Sequence, residues 1–514
     1  MVNTVCEIYA YPVIFGHFSG FIFIFFGRII YNRVILYILG GNIMELPQLI
    51  YLGVIGLYLF FFLLFLRYFV WRHYSNKHYW SKRKVLSAFE LEKLAEEKGK
   101  KLPMFSILVP AREEADVIGQ TIEHLAGLNY PHDLFEIIVI TDEKELSSGK
   151  SHTTQQVVED KIMEFTARGN CPVLKHVMVP YDFDGNFQGQ CLGKPVPSTK
   201  GRALNYGLSF IDGSSDICGF YDAESHPELD VLLYIAQEWI NSEKSNRIWQ
   251  GPVFQVRNFF YLSPITKIAS LYQALSHEWY MPVLMKMLPF VGGTNLFIES
   301  DLLKRIKGFD CKALTEDLEI GVRAYLAEGA WPDYFPYIST EQTPENYRSF
   351  FRQRLRWAAG HIQVIEKFKN TPEYAGPKKN SLLKTLLLKG EVEWTLYQIA
   401  VLVPLAVIWL SYKGLIDPSA LPDGFRIFLK SLVFIYFGFT YYLYIVKYYP
   451  YMKKRGTVDS LLALISLLVL PLAGFLLPLP YTGALILRAF NSQPRTWVKT
   501  PRTREIAEVS MKKA

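Results

Sequence analysis

The sequence predicts an α/β domain built on a mostly parallel sheet and joined to apolar helices long enough to cross a bilayer. Three observations predict it. Apolar runs of strand length alternate with helix-patterned stretches between residues 101 and about 340. Uncharged segments of membrane-spanning length lie on both sides of that region. The composition is also mixed: 50% hydrophobic and 15% aromatic, yet 20% charged over 514 residues. A chain buried wholly in lipid would carry less charge, and a wholly soluble one would not hold such runs.

The elements follow in order. Residues 8–40 are apolar but contain His17, Arg28 and Arg33, which fits one tilted span or a span plus an interfacial helix. No basic segment opens the chain, which speaks against a cleaved signal peptide. Leu49 to Leu66 has no charge and is followed by Arg67, Arg72, Lys77, Lys82, Arg83 and Lys84. Such a segment can span the bilayer with its C-terminal end in the cytoplasm. In the middle region, "FSILVPA" (105–111), "FEIIVITD" (135–142), "LKHVMVP" (174–180) and "DICGFYDA" (216–223) read as buried strands. Stretches 114–127 and 153–168 between them read as helices, so the strands belong in one sheet with helices on both faces. Further spans are expected at Trp394 to Tyr412 and Ser431 to Val446. Leu461 to Leu487, broken by Pro471, Pro478 and Pro480, is expected to fold as a short hairpin. That keeps the basic tail cytoplasmic. "NSLLKTLLLKGEVEW" (380–394) reads as an amphipathic helix on the inner leaflet, with Lys379, Lys384 and Lys389 around a leucine stripe. The implied organisation is a membrane region and linker (1–100), a cytoplasmic catalytic domain (101–345), interface helices (346–390), a second membrane region (391–490) and a basic tail (491–514).

Several classes of function lose support. A net charge of +7 is mild for this length and argues against a nucleic-acid partner. The five cysteines, Cys6, Cys171, Cys191, Cys218 and Cys311, show no paired spacing for zinc and no disulfide framework. No dinucleotide, P-loop or serine-hydrolase motif occurs. The sequence is silent on oligomeric state.

What remains is a set of charged positions beyond apolar strands, where open parallel sheets bind ligands. Arg112, Glu113 and Glu114 follow the first strand, and Asp142 and Glu143 close the second. Asp222 and Glu224 follow the fourth. This acidic pair fits a solvated turn before His226-Pro227, or a site for Mg²⁺ or Mn²⁺ holding a phosphorylated substrate. "LTEDLEIG" (314–321) fits an ordinary helix start, or a general base beside a bound substrate. "PSTKGRALNYGL" (197–208) fits a surface helix start or a phosphate contact. "VGGTN" (291–295) fits a turn or a close approach of backbone to ligand. In "FFRQRLRWAAG" (350–360), a helix places Gln353 and Trp357 on one face with Arg356 at its border, and Arg354 off it. An indole is a platform for a sugar ring, and a guanidinium grips phosphate.

In this order, "VPAREE", "TDE", "KGRALN", "DAE", "GGTN", "GFDCKALTED" and "RQRLRW" resemble the serial motifs of membrane-integrated family 2 glycosyltransferases, the group of cellulose and hyaluronan synthases. The resemblance covers about 105–360. It implies a GT-A (Rossmann-like) fold and inverting transfer from a nucleotide-diphosphate sugar, UDP being the expected carrier. It implies Ala111, Glu113, Asp142, Lys200, Asp222, Gln353, Arg354 and Arg356 at the donor, and Asp222 and Glu224 at a Mg²⁺ or Mn²⁺ ion. Asp317 is implied as the base, with Trp357, Glu316, Gly293 and Thr294 at the acceptor. Glu224 stands where the family usually has aspartate, and Lys144 stands where a small residue is common. The expected product is a polysaccharide passed through the chain's own membrane helices; the alternative is a single sugar transferred to a membrane lipid.

Overall fold

The computed structural model describes residues 62–494 apart from 64, 149–151, 190–195, 245–246, 416, 418–422 and 454, and it also describes Thr503. The expected spans at 8–40 and 49–66 lie wholly or mostly outside the described residues, as does nearly all of the basic tail.

Among the described residues, ten strands form two sheets: β1 (Phe105–Pro110), β2 (Phe135–Asp142), β3 (Val173–Val179), β4 (Ile217–Phe220), β5 (His226–Pro227), β6 (Ile248–Gln250), β7 (Val253–Phe254), β8 (Leu296–Glu299), β9 (Asp333–Tyr334) and β10 (Ser339–Thr340). Seven of them make one sheet in the order β3-β2-β1-β4-β8-β6-β9. The β1, β2, β3 and β4 pairings are parallel, while β8 runs antiparallel to both neighbours. A three-stranded sheet, β5-β10-β7, sits beside it.

The strands read as unbroken apolar runs because both faces are covered. Phe105, Ile107 and Val109 of β1 join Ile137 and Val139 of β2 in one core cluster. Leu108, Ile138 and Ile140 point the other way into a second cluster with Leu204, Phe220 and Ile320. The helices Ile118–Ala126 and Thr154–Arg168 occupy the stretches expected of them.

The edge where β2 and β4 end is held by Arg202. Its side chain is fully buried and donates to Asp142 Oδ2 at 3.0 Å and to the Phe183 carbonyl at 2.8 Å, and also to the Pro180 and Tyr181 carbonyls. One guanidinium therefore ties the end of β2 to the loop after β3 and to the helix Lys200–Leu208.

The C-terminal helices differ from expectation in two ways. Thr457–Ala489 is one helical run of 33 residues, not a hairpin. Pro471 and Pro480 sit in the first turns of successive segments, Leu470–Leu476 and Leu479–Ala489, where a missing N–H removes no hydrogen bond. The even-crossing argument for the tail therefore falls. Thr503 nonetheless returns to the α/β domain, where it bonds Asn258 and Gln342. The second difference concerns the expected lipid-lying helix. In Pro377–Leu387, Leu382 and Leu386 are buried against Leu318, Val322, Val364 and Phe368, so these two face protein, while Leu387 is exposed. Lys379 is buried too and donates to the Lys369 and Thr371 carbonyls. Arg426–Tyr451 and Thr457–Ala489 are long and apolar enough to cross a membrane by length and composition, and Trp394 to Tyr412 lies within the helix Glu393–Tyr412.

Replacing Arg202 with Ala leaves Asp142 buried without its guanidinium. The expected loss is about 3–5 kcal/mol, read as a lower denaturant midpoint; an unchanged midpoint would show that the pair holds nothing.

Candidate functional site

A cleft of about 300 Å³ opens where the strand ends, the Gly292-Gly293 loop and two helix faces meet. Its wall includes Lys200, Asp222, Glu224, Thr294, Glu316, Asp317, Glu341, Gln353, Arg356 and Trp357. Positions separated by well over a hundred residues thus converge.

The acidic end is built first. Asp222 leaves β4, and its N–H donates to Ser225 Oγ at 3.0 Å and to Thr294 Oγ1 at 3.3 Å. Those two hydroxyls donate in turn to Glu341 Oε1, at 2.6 and 2.7 Å. Asp222, Glu224 and Glu341 each offer a carboxylate oxygen, and these atoms lie within 4.8 Å of one another. Burial, and then the Asp222 charge, push Glu341 up to about 7. Hard oxygen donors brought this close suit a divalent cation such as Mg²⁺ or Mn²⁺.

Lys200 joins this end to the next. Its ammonium pairs with Asp222 and donates to the Gly293 carbonyl at 2.8 Å. Its pKa is raised: burial acts against the charge, but Asp222, Glu316 and Asp317 outweigh it. Asp317 sits in the first turn of the helix Glu316–Glu328, where Oδ1 accepts the Leu318 N–H at 2.7 Å. Burial raises Asp317, and burial followed by the Asp317 charge pushes Glu316 up to about 7. Adjacent buried carboxylates do not ionise independently.

Two glycines make the approach possible. Gly293 has φ +76°, and a Cβ there would lie 2.8 Å from Asp317 Oδ2. A Cβ on Gly360 would meet Thr315 Oγ1 at 2.6 Å, so the helix Tyr347–Lys369 can lie against the start of the helix Glu316–Glu328 only because that position is glycine.

The helix Tyr347–Lys369 supplies the remaining wall. Arg356 donates to the Leu314 carbonyl at 3.1 Å. Gln353 is buried at the cleft, with no hydrogen-bond partner for Oε1. The Arg354 guanidinium lies 3.9 Å above the Trp357 ring and donates to Gln255 Oε1 at 3.1 Å. Beyond Trp357 the wall becomes apolar: Trp394 packs on Tyr481 at 5.3 Å and edge-on against His361 at 5.2 Å.

Some expected donor residues do not line this cleft. Arg354 backs the indole instead. Asp142 is taken up by Arg202, Ser198 Oγ and the Lys144 N–H. Ala111 is buried, with its N–H on the Ile140 carbonyl. Glu113 adopts φ +57°, and its N–H donates to Glu145; its neighbour Glu114 is the one in the wall. The sequence reasoning missed Glu341, Gln255, Gln273 and His277. Glu341 follows a two-residue strand in "STEQTPE", which carries no spacing signal, and only the pairing of β10 with β5 and β7 brings it beside Asp222.

Residues 220–477 match the family described as "Glycosyl transferase family group 2". A probable glycosyltransferase, YdaM, of Bacillus subtilis (strain 168) is 29% identical over 276 residues, covering 52% of this chain and 58% of that protein. A poly-beta-1,6-N-acetyl-D-glucosamine synthase of Staphylococcus epidermidis is 22% identical, over 51% of this chain and 55% of that one. A beta-monoglucosyldiacylglycerol synthase of Trichormus variabilis is 21% identical, over 51% and 50%. The chain spans little more than half the length of these curated relatives.

Replacing Gly293 with Ala forces a side chain onto a positive-φ position against Asp317. The expected cost is about 1–3 kcal/mol, visible as a lowered unfolding midpoint. Full stability in this variant would show that the loop can yield.

Proposed function

The chain belongs to glycosyl transferase family group 2, and on that premise we propose that it moves a sugar from a nucleotide-diphosphate donor to a hydroxyl acceptor, with inversion at the anomeric carbon. The observation that carries this is the convergence of three groups in one cleft: the Asp222, Glu224 and Glu341 cluster, Lys200, and Asp317. The acceptor oxygen forms the new bond to the anomeric carbon while the bond to the diphosphate oxygen breaks. The hydroxyl proton passes to Asp317, and the nucleoside diphosphate departs with the electron pair. Lys200 and Arg356 offset the charge that develops on it. A divalent cation, Mg²⁺ or Mn²⁺, held by Asp222, Glu224 and Glu341, would neutralise part of the diphosphate charge. The open face of Trp357 carries the acceptor, because Arg354 covers the other.

The acceptor reading favoured is a growing polysaccharide, supported by the aromatic wall of Trp357, Trp394 and Tyr481 leading from the base toward the apolar helices. The synthase relative that makes a polymer is consistent with it. The glycolipid-synthase relative supports the second reading, a single transfer to a membrane lipid. In both, the chain is a multi-pass protein of the cell membrane with its catalytic domain in the cytoplasm.

Replacing Asp317 with Asn is expected to cut turnover at least about a hundredfold while nucleoside diphosphate still binds; normal turnover would remove Asp317 as base. Because burial raises Asp317 above the ordinary carboxylate range, the base is protonated, and lost, as pH falls through that raised value. The pH profile of kcat/KM should therefore drop on its acid side, and Glu316→Gln should move that limb to lower pH. A limb near 4 in the wild type would contradict the coupling. Glu341→Gln is expected to weaken Mn²⁺ binding at least about tenfold, measured by electron paramagnetic resonance titration. Unchanged affinity would take Glu341 out of the ligand set.

A further inference from the structure

We propose that His277 is a specificity-determining residue: its Nε2–H donates to an acceptor hydroxyl other than the one that reacts, so the chain selects an acceptor that ends in a sugar. The inference rests on the glycosyl-transfer reading above and concerns a residue outside the motifs that support it.

The tautomer follows from the backbone. His277 Nδ1 lies 3.2 Å from the Val253 main-chain nitrogen. A main-chain amide only donates, so Nδ1 must accept, and the proton of the neutral ring is on Nε2. Burial, helped by the nearby Arg354 charge, pushes the imidazole down to about 3, so the ring is neutral at working pH. The side chain is thus a fixed donor in the cleft wall.

The backbone that carries it is held firmly. His277 lies in a single π turn, Ser276–Tyr280, at the end of the helix Pro264–Leu275. The next residue, Glu278, is buried and pairs with Lys447 at 2.5 Å and with the Tyr448 hydroxyl at 3.1 Å. The Glu278 carbonyl also accepts Ser75 Oγ at 2.6 Å and Trp80 Nε1 at 3.2 Å. A π turn of this kind is frequent at functional sites, and these four contacts hold the residue next to His277 in place.

The chemistry of this wall differs from that of the acidic end. His277 shares it with Gln273, Gln353 and Trp357. Neutral donors and acceptors beside an indole suit hydroxyl groups on a flat ring, not a phosphate. Gln353 Oε1 is buried without a partner, so the wall pairs a fixed donor with a waiting acceptor. A hydroxyl can satisfy both. An acceptor with one hydroxyl, such as a diacylglycerol, gives it to Asp317 and leaves the His277 N–H and Gln353 unmet. Unmet polar groups in a closed site cost more than the bond itself contributes. A sugar has hydroxyls for both tasks.

The test uses the purified full chain with Mn²⁺ and a donor panel of UDP-glucose, UDP-N-acetylglucosamine and GDP-mannose. The acceptors offered are the octyl β-glycosides of the three sugars and dioctanoylglycerol. The expected result is transfer to an octyl glycoside in preference to dioctanoylglycerol. His277→Ala should raise the acceptor KM roughly three- to tenfold beyond any change in donor KM. His277→Gln should restore it, because a glutamine amide can accept from Val253 and still donate to the ligand. Equal use of dioctanoylglycerol, an unchanged acceptor KM in His277→Ala, or equal rises in both KM values with both variants would each overturn the proposal. No transfer from any donor by the wild-type chain would overturn the glycosyl-transfer reading itself, and the role of His277 with it.

Discussion

Lys200 holds together carboxylates that would otherwise repel one another. Asp222, Glu316 and Asp317 all act on its ammonium, and the Gly293 carbonyl accepts from it. Burying so many acids at one sheet edge is unfavourable unless positive charge or protons compensate. The ammonium does this for one side of the cleft. The cluster of Asp222, Glu224 and Glu341 has its own demand for positive charge, which a divalent cation would meet. A cation held there would also offset the charge of a diphosphate bound beside it.

The fold serves that arrangement by putting loops, not strands, at the charged edge. The parallel strands β1, β2 and β4 carry almost only apolar side chains into the two core clusters. Their ends can then bear charge without disturbing the core. Arg202 fixes one of those ends through buried contacts to main-chain carbonyls and Asp142, which frees the neighbouring Lys200 to face the cleft.

The second constraint is steric. The helix Tyr347–Lys369 must approach the start of the helix Glu316–Glu328 closely enough for Arg356 to reach the Leu314 carbonyl. Gly360 permits this, and Ala484 with Leu355 and Trp394 fills the space on its other side. The apolar helices are therefore packed into the architecture of the cleft. Arg488 pairs with Glu366 and Glu391, and the Tyr347 hydroxyl bonds the Leu476 carbonyl. Through Glu278, the π turn bearing His277 is tied to the helical run at Lys447 and Tyr448 as well. A shift of those helices would be felt at the cleft wall.

By itself the sequence determined what depends on local pattern. Apolar runs of strand length located β1 to β3 to within one residue of their observed bounds, because strands buried on both faces leave a continuous signal; β4 starts within one residue but ends at Phe220, short of the expected 223. Acidic pairs beyond those runs pointed to the sheet edge that bears the cleft. Tertiary structure alone decided which charges share a cleft. Glu341 and His277 stand in short, unpatterned segments, and only strand pairing and helix packing bring them to the site. The leucine stripe of 380–394, which packs on protein through Leu382 and Leu386, and the prolines of 461–487 also needed the tertiary structure to be read. A stripe shows that a face must be covered and not by what, and a proline breaks a helix only where its missing N–H was needed.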